Sequence, residues 1–388
     1  MSSLLVVIPD ALSHLISKGE ITPRYYNPGD LFDDVHVLMI NNDRPDATML
    51  KGLVGSANLH LHNLPIPPGR FFHKTLGWRP FLLRSWASEA VVLAKQIKPS
   101  LVRAYSNNLN GYVASEIKRV LGIPYLLSLH TRPDENRERW TQGWKSKVFA
   151  NAMRSVEATS IENADVVLPV YESILRYTEQ YKNPNIVVAY NAVSLQGITG
   201  KKNYALGTPP RILTVGNLML GKCPDNLILA LHHLERCQLD VIGKGEKAEY
   251  LKSLAQAEGL ADRVNFISSK PNHAICSAMY EYDIFASHCD YDGIPKAVME
   301  PMLAGLPVVV NRREGEQVPE YVDGKNLILV NNTPQGYASA LQRLLGDDVL
   351  RKELGQGARM FARKCFDPEI AERKVVEISE KVIAGKRT

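Results

Sequence analysis

Residues 283–311 read DIFASHCDYDGIPKAVMEPMLAGLPVVVN and give the clearest indication of the architecture. An apolar run ends at a polar loop, a helical pattern follows Pro295, and a turn at Gly305 leads into a second apolar run. Strand, helix and strand in this order are typical of a parallel sheet that is covered by helices. The segment also carries two carboxylates, Asp292 and Glu300. Four interpretations of that pair are open: two catalytic acids, a metal site, a sugar-nucleotide clamp and an ordinary capped helix.

Similar apolar runs recur along the chain, with helical patterns between them. The first half contains LLVVIP, DVHVLMI, LVRAY, YLLSLH, DVVLPV and NIVVAY, and the second contains RILTVG, QLDVIG, VNFIS, DIFAS, LPVVVN and LILV. Runs of Val, Ile and Leu that are bounded by Gly, Asp or His indicate strands buried on both faces. Two such series predict an α/β protein of two facing doubly wound parallel-sheet domains, with a ligand cleft at the carboxyl ends of the strands.

The two series are separated by SLQGITGKKNYALGTPPR, which is rich in Gly, Pro and Lys. This composition is typical of a connection between domains. A last helical pattern begins at Asp367 and Pro368, which suit a helix cap and a first turn. We therefore predict a first domain at residues 1–200, a second at 201–366 and a closing helix at 367–388.

Composition indicates the class of protein and its compartment. The 388 residues are 45% hydrophobic and 22% charged, as expected of a soluble globular protein. No apolar run approaches the roughly eighteen residues of a membrane span, and no basic leader precedes the first apolar run. The five cysteines are odd in number and lack paired spacing, which argues against disulfides or zinc. We expect a cytoplasmic protein.

The net charge of +5 has a local source in residues 67–100. Basic and aromatic side chains alternate there with a single acid: Arg70, Lys74, Arg79, Arg84, Lys95 and Lys98 with Phe71, Phe72, Trp78, Phe81 and Trp86. One interpretation is a helix pair with buried aromatics and solvated charges. The other is peripheral contact with an anionic inner-membrane face or a phosphate-bearing acceptor. A nucleic-acid partner is not expected, because no nucleic-acid-binding motif accompanies the charge.

The loop and helix start before Glu300 have the features of an oxyanion and diol site. Pro295 suits the first helical position. Backbone amides at a helix start bind phosphate or hydroxyl oxygens, and the candidates are Gly293, Ile294, Lys296 and Ala297. Glu300 in the second turn is placed to accept hydrogen bonds from a diol such as a ribose. Pro301 predicts a kink or the end of the regular helix.

Two further loops follow buried strands in the second half. ILTVGNLMLGKCPDNLILALHHL places Lys222 just before a helix start, where a diphosphate would be well bound. A solvated lysine is an equally good interpretation of that residue alone. LDVIGKGEKAEYLKSLAQ ends a strand at Gly243-Lys244-Gly245 and opens a helix. This pattern is a weak phosphate signal and is also typical of a tight turn.

In this order, the three segments resemble the donor domain of the family 4 glycosyltransferases, which have the GT-B fold. The resemblance rests on GNLMLGK, IGKG and DGIPKAVME, within about residues 211–366. It extends more loosely to the first half, through YLLSLH ending at His130 and VVAYNAV at Asn191. It implies a GT-B protein whose closing helix crosses back to the first domain.

The resemblance also implies retaining hexosyl transfer from a nucleotide diphosphate-sugar to a sugar, lipid or small-molecule acceptor, in polysaccharide, glycolipid or other glycoconjugate synthesis. It implies neither a cofactor nor an essential metal. Lys222 would contact the diphosphate, Glu300 the ribose and Asp292 the donor sugar, while His130 would position the sugar. The candidate catalytic residues are Lys222, Asp292 and His130. The candidate donor-binding residues are Asn217, Lys222, Gly243, Lys244, Gly293, Ile294, Lys296, Ala297 and Glu300.

This sequence departs from the family pattern at three places. Asn217 stands where the family has a phosphate-binding arginine, and Asp292 replaces the first glutamate of the acidic motif. The loop PDALSHLISKGEIT has one glycine where the family has a Gly-Gly pair, so that Lys18, Arg24 or Lys244 would serve the phosphate instead. These departures keep open a non-catalytic relative that binds nucleotide-sugars.

Three other classes of site fit these residues less well. A glycosidase needs both carboxylates at the reacting bond, whereas a rise of ~1.5 Å per residue places Glu300 about two turns from the helix start. A metal site at His288, Asp290 and Asp292 lacks a further set of ligands. A sugar-nucleotide epimerase shares the architecture, but it would need a different arrangement of carboxylates.

Overall fold

The computed structural model describes residues 2–18, 21–66, 80–133, 144–291, 293–313 and 318–385. The chain divides into two compact units, one of Met1–Ala192 with Glu369–Thr388 and the other of Val193–Pro368. The sequence predicted domain boundaries after residues 200 and 366. The structure divides the chain after residues 192 and 368. In the structure the closing segment therefore belongs to the first unit.

The first unit is built on a parallel sheet. Its strands are β1 (Ser3–Ile8), β2 (Asp34–Met39), β3 (Asn58–Asn63), β4 (Leu101–Tyr105), β5 (Tyr125–Leu129) and β6 (Val166–Pro169). In the described residues they form a six-stranded sheet in the order β3-β2-β1-β4-β5-β6. Leu4 of β1 pairs with Val35 of β2 on one side and with Leu101 of β4 on the other. The central strand β1 is apolar because both of its faces are covered.

Helices connect these strands. They are α1 (Leu12–Lys18), α2 (Ala47–Leu50), α3 (Pro80–Ile97), α4 (Leu109–Leu121), α5 (Trp144–Glu162) and α6 (Leu175–Thr178), with short 3-10 turns at Pro28–Asp30, Lys51–Val54 and Glu172–Ile174. Helix α4 ends at Gly122, whose φ of 71° lies in the left-handed region that glycine adopts without strain. The sequence pattern predicted this alternation of strands and helices.

The second unit repeats the architecture of the first. Its strands are β7 (Arg211–Val215), β8 (Gln238–Ile242), β9 (Val264–Ile267), β10 (Ile284–Ser287), β11 (Val308–Asn311) and β12 (Ile328–Val330). They form a parallel sheet in the order β12-β11-β10-β7-β8-β9. In both sheets the first strand lies between the second and the fourth, so the order reverses at β1/β4 and at β7/β10. Ligands of doubly wound sheets bind beyond the carboxyl ends of the strands at such a reversal.

Six helices are described in the second unit, and two of them begin at a side-chain cap. They are α7 (Asp225–Ala230), α8 (Ala248–Ala257), α9 (Asn272–Ala278), α10 (Lys296–Ala304), α11 (Pro334–Gly346) and α12 (Asp348–Phe366), with 3-10 turns at Leu231–His233 and Met279–Glu281. Thr333 Oγ1 accepts a hydrogen bond from the Gly336 amide at 3.0 Å and caps α11. Asp347 Oδ1 accepts from the Leu350 amide at 2.9 Å and caps α12. Such caps satisfy amides that have no partner inside the helix.

The last helix, α13 (Pro368–Ile383), packs on the core of the first unit. Val375, Ile378 and Val382 are buried in the same apolar cluster as β1 and β2. Glu372 Oε2 lies 3.0 Å from Arg24 Nη2 and adds an ion pair within that unit. The apolar spacing of α13 is thus explained by burial of one helix face.

One predicted strand is absent from the structure, and one observed strand was not predicted. NIVVAY, residues 185–190, forms no regular strand, and Ile186 makes an isolated bridge to Val167 of β6. The segment extends along β6 through amide hydrogen bonds from Val187 and Ala189 without completing a ladder. Strand β3 was not predicted, because its sequence NLHLHN alternates Leu with His instead of forming a continuous apolar run. That alternation suits an edge strand, which lacks a neighbour on one side.

Helix α10 differs from its prediction at both ends. Pro295 is the residue before the helix and not its first residue. The helix also continues through Pro301 and ends at Gly305, whose φ is 79°. Burial of Val298, Met302 and their neighbours offsets the missing amide of the proline, because tertiary packing outweighs local propensity.

The basic segment is described in part. Residues 67–79, with Arg70, Lys74, Arg79, Phe71, Phe72 and Trp78, lie outside the described residues. In helix α3, Trp86 is buried and its Nε1 donates to the Pro65 carbonyl, whereas Phe81 and Arg84 are exposed. Within the described ranges, no helix has the length and the apolar character that crossing a membrane requires.

The two six-stranded parallel sheets, each with flanking helices, confirm the predicted α/β, doubly wound fold class.

Candidate active site

A pocket in the second unit lies at the carboxyl ends of β7 and β10, where the strand order reverses. Its lining residues include Gly216, Lys222, Ser287, His288, Pro295 and Ala297. Two loops meet there, and we name them the lysine loop (residues 216–224) and the acidic loop (residues 288–295). This is the place where doubly wound sheets bind their ligands.

Lys222 is the cation of this pocket. Its side chain is half-buried and lines the pocket, and its amide donates to the Met219 carbonyl at 2.9 Å. The ammonium Nζ lies 4.9 Å from the centre of the Tyr291 ring, over its face. A cation held here is available to an anionic ligand.

The start of helix α10 faces the same pocket through Pro295 and Ala297. The first helical hydrogen bonds run from the amides of Val298 and Met299 to the Pro295 carbonyl. The amides of Lys296 and Ala297 come before these bonds, at the positive end of the helix dipole. Lys222 and a helix start are thus brought together, as an oxyanion site requires.

The acidic loop reaches this helix through Gly293 and Ile294. Gly293 has a φ of 79°, which only glycine adopts without strain, and Ile294 is buried. Arg313 holds the loop at two points, with Nη2 donating to the Gly293 carbonyl at 2.6 Å and Nε to the Cys289 carbonyl at 3.2 Å. Asp292, predicted to face the donor sugar, lies outside the described residues.

Glu300 is buried in α10 with its carboxylate in a polar setting. Asn272 Nδ2 donates to Oε1 at 2.9 Å, and Lys296 Nζ lies 3.8 Å from the same oxygen. Burial and, second, the Glu300 charge raise the pKa of the Cys276 thiol to about 12. A carboxylate oriented by an amide in this way can accept hydrogen bonds from ligand hydroxyls.

The Gly-Lys-Gly segment has a packing role. A Cβ at Gly243 would clash with the Gly216 carbonyl oxygen, and one at Gly245 would clash with Leu218. The Leu218 amide donates to the Lys244 carbonyl at 3.0 Å, which ties the two loops together. These glycines therefore allow close approach of two backbones. A donor-binding role of Gly243 stays a prediction.

Of the nine predicted donor-binding residues, Lys222 and Ala297 line the pocket, and the other seven, Glu300 among them, are not part of its lining. Asn217 and Lys244 are both exposed, in the loops after β7 and β8. The structure brings Lys222 and Ala297 together but leaves the side chains of Asn217 and Lys244 in solvent. Their contacts with a ligand stay a prediction.

His130 follows β5 at the carboxyl edge of the first sheet. Asn191 Nδ2 donates to His130 Nδ1 at 3.2 Å, which leaves the ring proton on Nε2. Nε2 is buried and has no hydrogen-bond partner among the described residues. Burial and, second, the charge of Arg103 lower the pKa of His130 to about 4, so the ring is neutral at pH 7. The ring therefore carries one buried N–H without a partner among the described residues, and its contact with a sugar stays a prediction.

Sequence reasoning missed the polar network behind the pocket. His288 Nδ1 donates to the Cys223 carbonyl at 2.7 Å, while Nε2 lies 2.9 Å from Asp290 Oδ2 and 3.1 Å from Asn332 Nδ2. Asn311 Nδ2 donates to Asp290 Oδ1 at 2.8 Å. One feature of the sequence could have predicted this network. Asn311 ends β11 and Asn332 follows β12, and the carboxyl ends of these strands lie at the same edge of the sheet.

This network opposes a metal site at His288 and Asp290. Both atoms of the imidazole and both of the carboxylate are engaged by protein groups. Within the described residues, no group of three or more His, Cys, Asp or Glu side chains is arranged to hold a metal ion.

Two family models match the chain. The model described as Glycosyltransferase Family 4 matches residues 33–196, and the model described as Glycosyl transferases group 1 matches residues 199–361. The two matches follow each other and together cover most of the chain, with their division close to that between the two units.

Curated relatives share moderate identity with the chain. An amylovoran biosynthesis glycosyltransferase of Erwinia amylovora is 32% identical over 46% of this chain and 46% of its own length. A D-inositol 3-phosphate glycosyltransferase of Corynebacterium diphtheriae is 27% identical over 64% of each. A lipopolysaccharide core biosynthesis glycosyltransferase of Rhizobium meliloti is 22% identical over 79% of this chain and 81% of its own. For the first two, the match spans about half to two thirds of their length.

Solved structures match over nearly the whole chain. Sucrose-phosphate synthase of Thermosynechococcus elongatus has a TM-score of 0.71 at 16% identity and covers 100% of both chains. Anabaena HepE in complex with UDP has a TM-score of 0.75 at 16% identity and covers 98% of this chain and 100% of its own. At this level of identity the likeness shows the fold, which is GT-B.

Proposed function

This chain belongs to the family 4 glycosyltransferases, and from that premise we propose that it transfers a sugar from a nucleotide diphosphate-sugar to an acceptor hydroxyl, with retention of the anomeric configuration. The observation that carries the proposal is the pocket shared by Lys222 and the start of helix α10. A cation and helix-start amides in one pocket suit a diphosphate. The solved structure of Anabaena HepE holds UDP, which supports this class of donor.

The mechanism follows from the charges that develop during the reaction. As the bond from sugar to phosphate breaks, negative charge grows on the leaving diphosphate and positive charge on the sugar ring. Lys222 and the amides of Lys296 and Ala297 stabilise the negative charge, and they are already in place before the reaction. The cation and the amides supply this stabilisation without a metal.

The acceptor approaches from the face that the diphosphate leaves. Its hydroxyl oxygen forms the new bond to the anomeric carbon while its proton passes to the departing phosphate oxygen. The configuration is therefore kept, and no protein base is needed. Glu300 binds the ribose diol, with Asn272 orienting its carboxylate. The contacts of His130 and Asp292 with the donor sugar stay predictions.

The acceptor belongs to the cell envelope in this proposal. The names of relatives include amylovoran and lipopolysaccharide core biosynthesis, which support a saccharide or lipid-linked saccharide acceptor. The protein would act in the cytoplasm, with the basic residues of 67–100 contacting the inner membrane face. A small-molecule acceptor is an alternative. Hydrolysis of the donor without acceptor is compatible with either kind of acceptor.

We expect slow release of free nucleoside diphosphate when the protein is incubated with its nucleotide-sugar in the absence of acceptor. The reason is that water can replace the acceptor hydroxyl in a pocket that stabilises the leaving group. A panel of UDP-, GDP-, ADP- and dTDP-sugars, followed by chromatography of the released nucleotide, measures this. Release should continue at the same rate in EDTA, because Lys222 and the helix-start amides supply the positive charge.

The same panel separates the rival functions. Donor binding without release, with every acceptor tried, would contradict transfer and support a non-catalytic relative. Conversion of one nucleotide-sugar into its epimer, with no free nucleotide, would support an epimerase. Loss of release in EDTA, restored by Mg²⁺, would contradict independence from metal.

We expect the double variant Arg79→Glu/Arg84→Glu to bind anionic vesicles less well than the wild type. Arg84 is exposed on helix α3, and Arg79 lies just outside the described residues. Each basic residue near an anionic surface contributes about 1 kcal/mol, so the loss of two weakens binding by roughly thirtyfold, and repulsion of the two added carboxylates weakens it further. Sedimentation with vesicles of phosphatidylglycerol at low salt measures this, and donor hydrolysis should be unchanged.

A matched pair of charge reversals in the second unit controls for net charge. Lys252 and Lys352 are exposed on helices α8 and α12, and Lys252→Glu/Lys352→Glu should sediment as the wild type does. Failure of the wild type itself to sediment at low salt would favour the other interpretation, a solvated basic face.

A further inference from the structure

Tyr291 contacts three consecutive residues of the lysine loop, Leu220, Gly221 and Lys222. Its hydroxyl donates to the Leu220 carbonyl at 3.0 Å. Its ring covers Gly221, where a Cβ would lie 3.0 Å from Cε2, and Gly221 has a φ of 76°. The ring face then receives the Lys222 ammonium, with Nζ 4.9 Å from the ring centre. One aromatic side chain thus fixes both the backbone and the charged end of this segment.

We propose that the ring of Tyr291 is a positioning group for the Lys222 ammonium and holds it in place for the leaving diphosphate. This inference rests on the proposed function, because the role of Lys222 belongs to it. Tyr291 acts through Lys222 and not on the substrate.

An aromatic face suits this task better than a carboxylate does. A lysine side chain is flexible, and an ordering partner reduces the number of positions that its ammonium samples. A carboxylate would order the ammonium but would also neutralise its charge. No described carboxylate forms an ion pair with Lys222. The ring quadrupole attracts the cation and leaves its full charge for the phosphate oxygens.

The position of Tyr291 is itself fixed by the strands. The Asp290 amide donates to the Gly221 carbonyl at 2.8 Å, and His288 Nδ1 donates to the Cys223 carbonyl at 2.7 Å. The acidic loop is thereby joined to the lysine loop on both sides of Lys222. Because His288 directly follows β10, the ring is positioned by the sheet and not by solvent-exposed backbone.

The test is a double-mutant cycle between Tyr291→Leu and Lys222→Met. Leucine keeps apolar bulk but has no π face, and methionine keeps the length of the lysine without its charge. Two quantities are measured: kcat for donor hydrolysis without acceptor, and the Kd of the nucleoside diphosphate by calorimetry. Alone, Tyr291→Leu should lower kcat and weaken nucleoside diphosphate binding by about 3- to 30-fold. In the Lys222→Met background it should change either quantity by less than about twofold.

Two further variants isolate the ring face. Tyr291→Phe keeps the face and loses only the bond to the Leu220 carbonyl, so it should stay within about threefold of the wild type. Tyr250 carries the Lys247 ammonium 5.5 Å from its ring centre, away from the pocket lining, and Tyr250→Leu should leave both quantities unchanged. If Tyr291→Leu lowers the melting temperature, Tyr291→Met takes its place in the cycle.

The outcomes separate the inference from the function on which it rests. Equal losses from Tyr291→Leu in both backgrounds would overturn the positioning role, and so would a loss in Tyr291→Phe as large as that in Tyr291→Leu. The absence of any loss in Tyr291→Leu would overturn it too. A wild type that neither binds a nucleoside diphosphate nor hydrolyses any nucleotide-sugar would overturn the proposed function itself.

Discussion

Replacing Lys222 with alanine should lower turnover by about a hundred- to a thousandfold. Removal of one preorganised donor to developing negative charge typically costs ~2.7–4 kcal/mol in the transition state. The loss should appear in kcat as well as in kcat/KM, because the charge on the diphosphate grows only as the bond breaks. Steady-state kinetics of donor hydrolysis measure it, and binding of inorganic pyrophosphate, which carries the charge without the nucleoside, should also weaken.

The loss of turnover in Lys222→Ala should be closer to a thousandfold than to a hundredfold. Within the described residues, Lys222 is the only Lys or Arg that lines the pocket. Asn217, at the position where the resemblance implies an arginine, is exposed and outside the lining. Lys244 is also exposed. With no second cation in the lining to share the charge, removal of Lys222 leaves only backbone amides.

The matched control is Lys252→Ala. Lys252 carries the same charge in the same unit, in an exposed ion pair with Glu249. It should keep full turnover. Near-normal turnover in Lys222→Ala, with the donor still bound, would contradict the diphosphate role of Lys222 and with it most of the proposed mechanism.

The fold was largely predictable from the sequence because of where its strands lie. Central strands of a parallel sheet are buried on both faces, and this produces continuous runs such as VVVN of β11. An edge strand gives no such run, and β3 with its Leu and His alternation was missed for that reason. The false strand at 185–190 has the right composition, but its hydrogen bonds with β6 form one isolated bridge and no regular ladder. Composition specifies burial, whereas pairing depends on neighbours that are distant in sequence.

The site was predictable where the chain itself places the residues. Lys222 follows β7 and the α10 start follows β10, and these strands are neighbours at the reversal of strand order. The positions of Lys222 and of the α10 start could therefore be predicted from the local sequence. The partners that orient these groups could not. Tyr291 meets Lys222 and Asn272 meets Glu300 across long stretches of chain, and only the packing of loops and helices brings each pair together.

Exchanging Glu300 for glutamine should weaken donor binding by about 10- to 150-fold with little change in kcat. Glutamine has the same shape, so the buried packing is kept while the charge is lost. Hydrogen bonds to a charged acceptor contribute roughly 1.5–3 kcal/mol and those to a neutral amide roughly 0.5–1.5 kcal/mol, so each of the two bonds to the diol is weakened by about 1–1.5 kcal/mol. The ribose does not change during the reaction, so its binding contributes equally to the ground state and the transition state. The Kd of the nucleoside diphosphate and the KM of the donor measure the effect.

Binding of inorganic pyrophosphate, which lacks a ribose, tests whether Glu300 contacts the ribose. It should bind Glu300→Gln as tightly as it binds the wild type, whereas Lys222→Ala should weaken it. Glu258→Gln removes a carboxylate from an exposed pair with His232 in the same unit and should leave all of these constants unchanged. If Glu300→Gln weakens pyrophosphate and nucleoside diphosphate equally, its carboxylate acts by supporting helix α10 through Asn272 and Lys296, and the ribose contact is wrong. A fall in kcat at unchanged Kd would instead place Glu300 at the reacting bond, as a glycosidase-type acid would require.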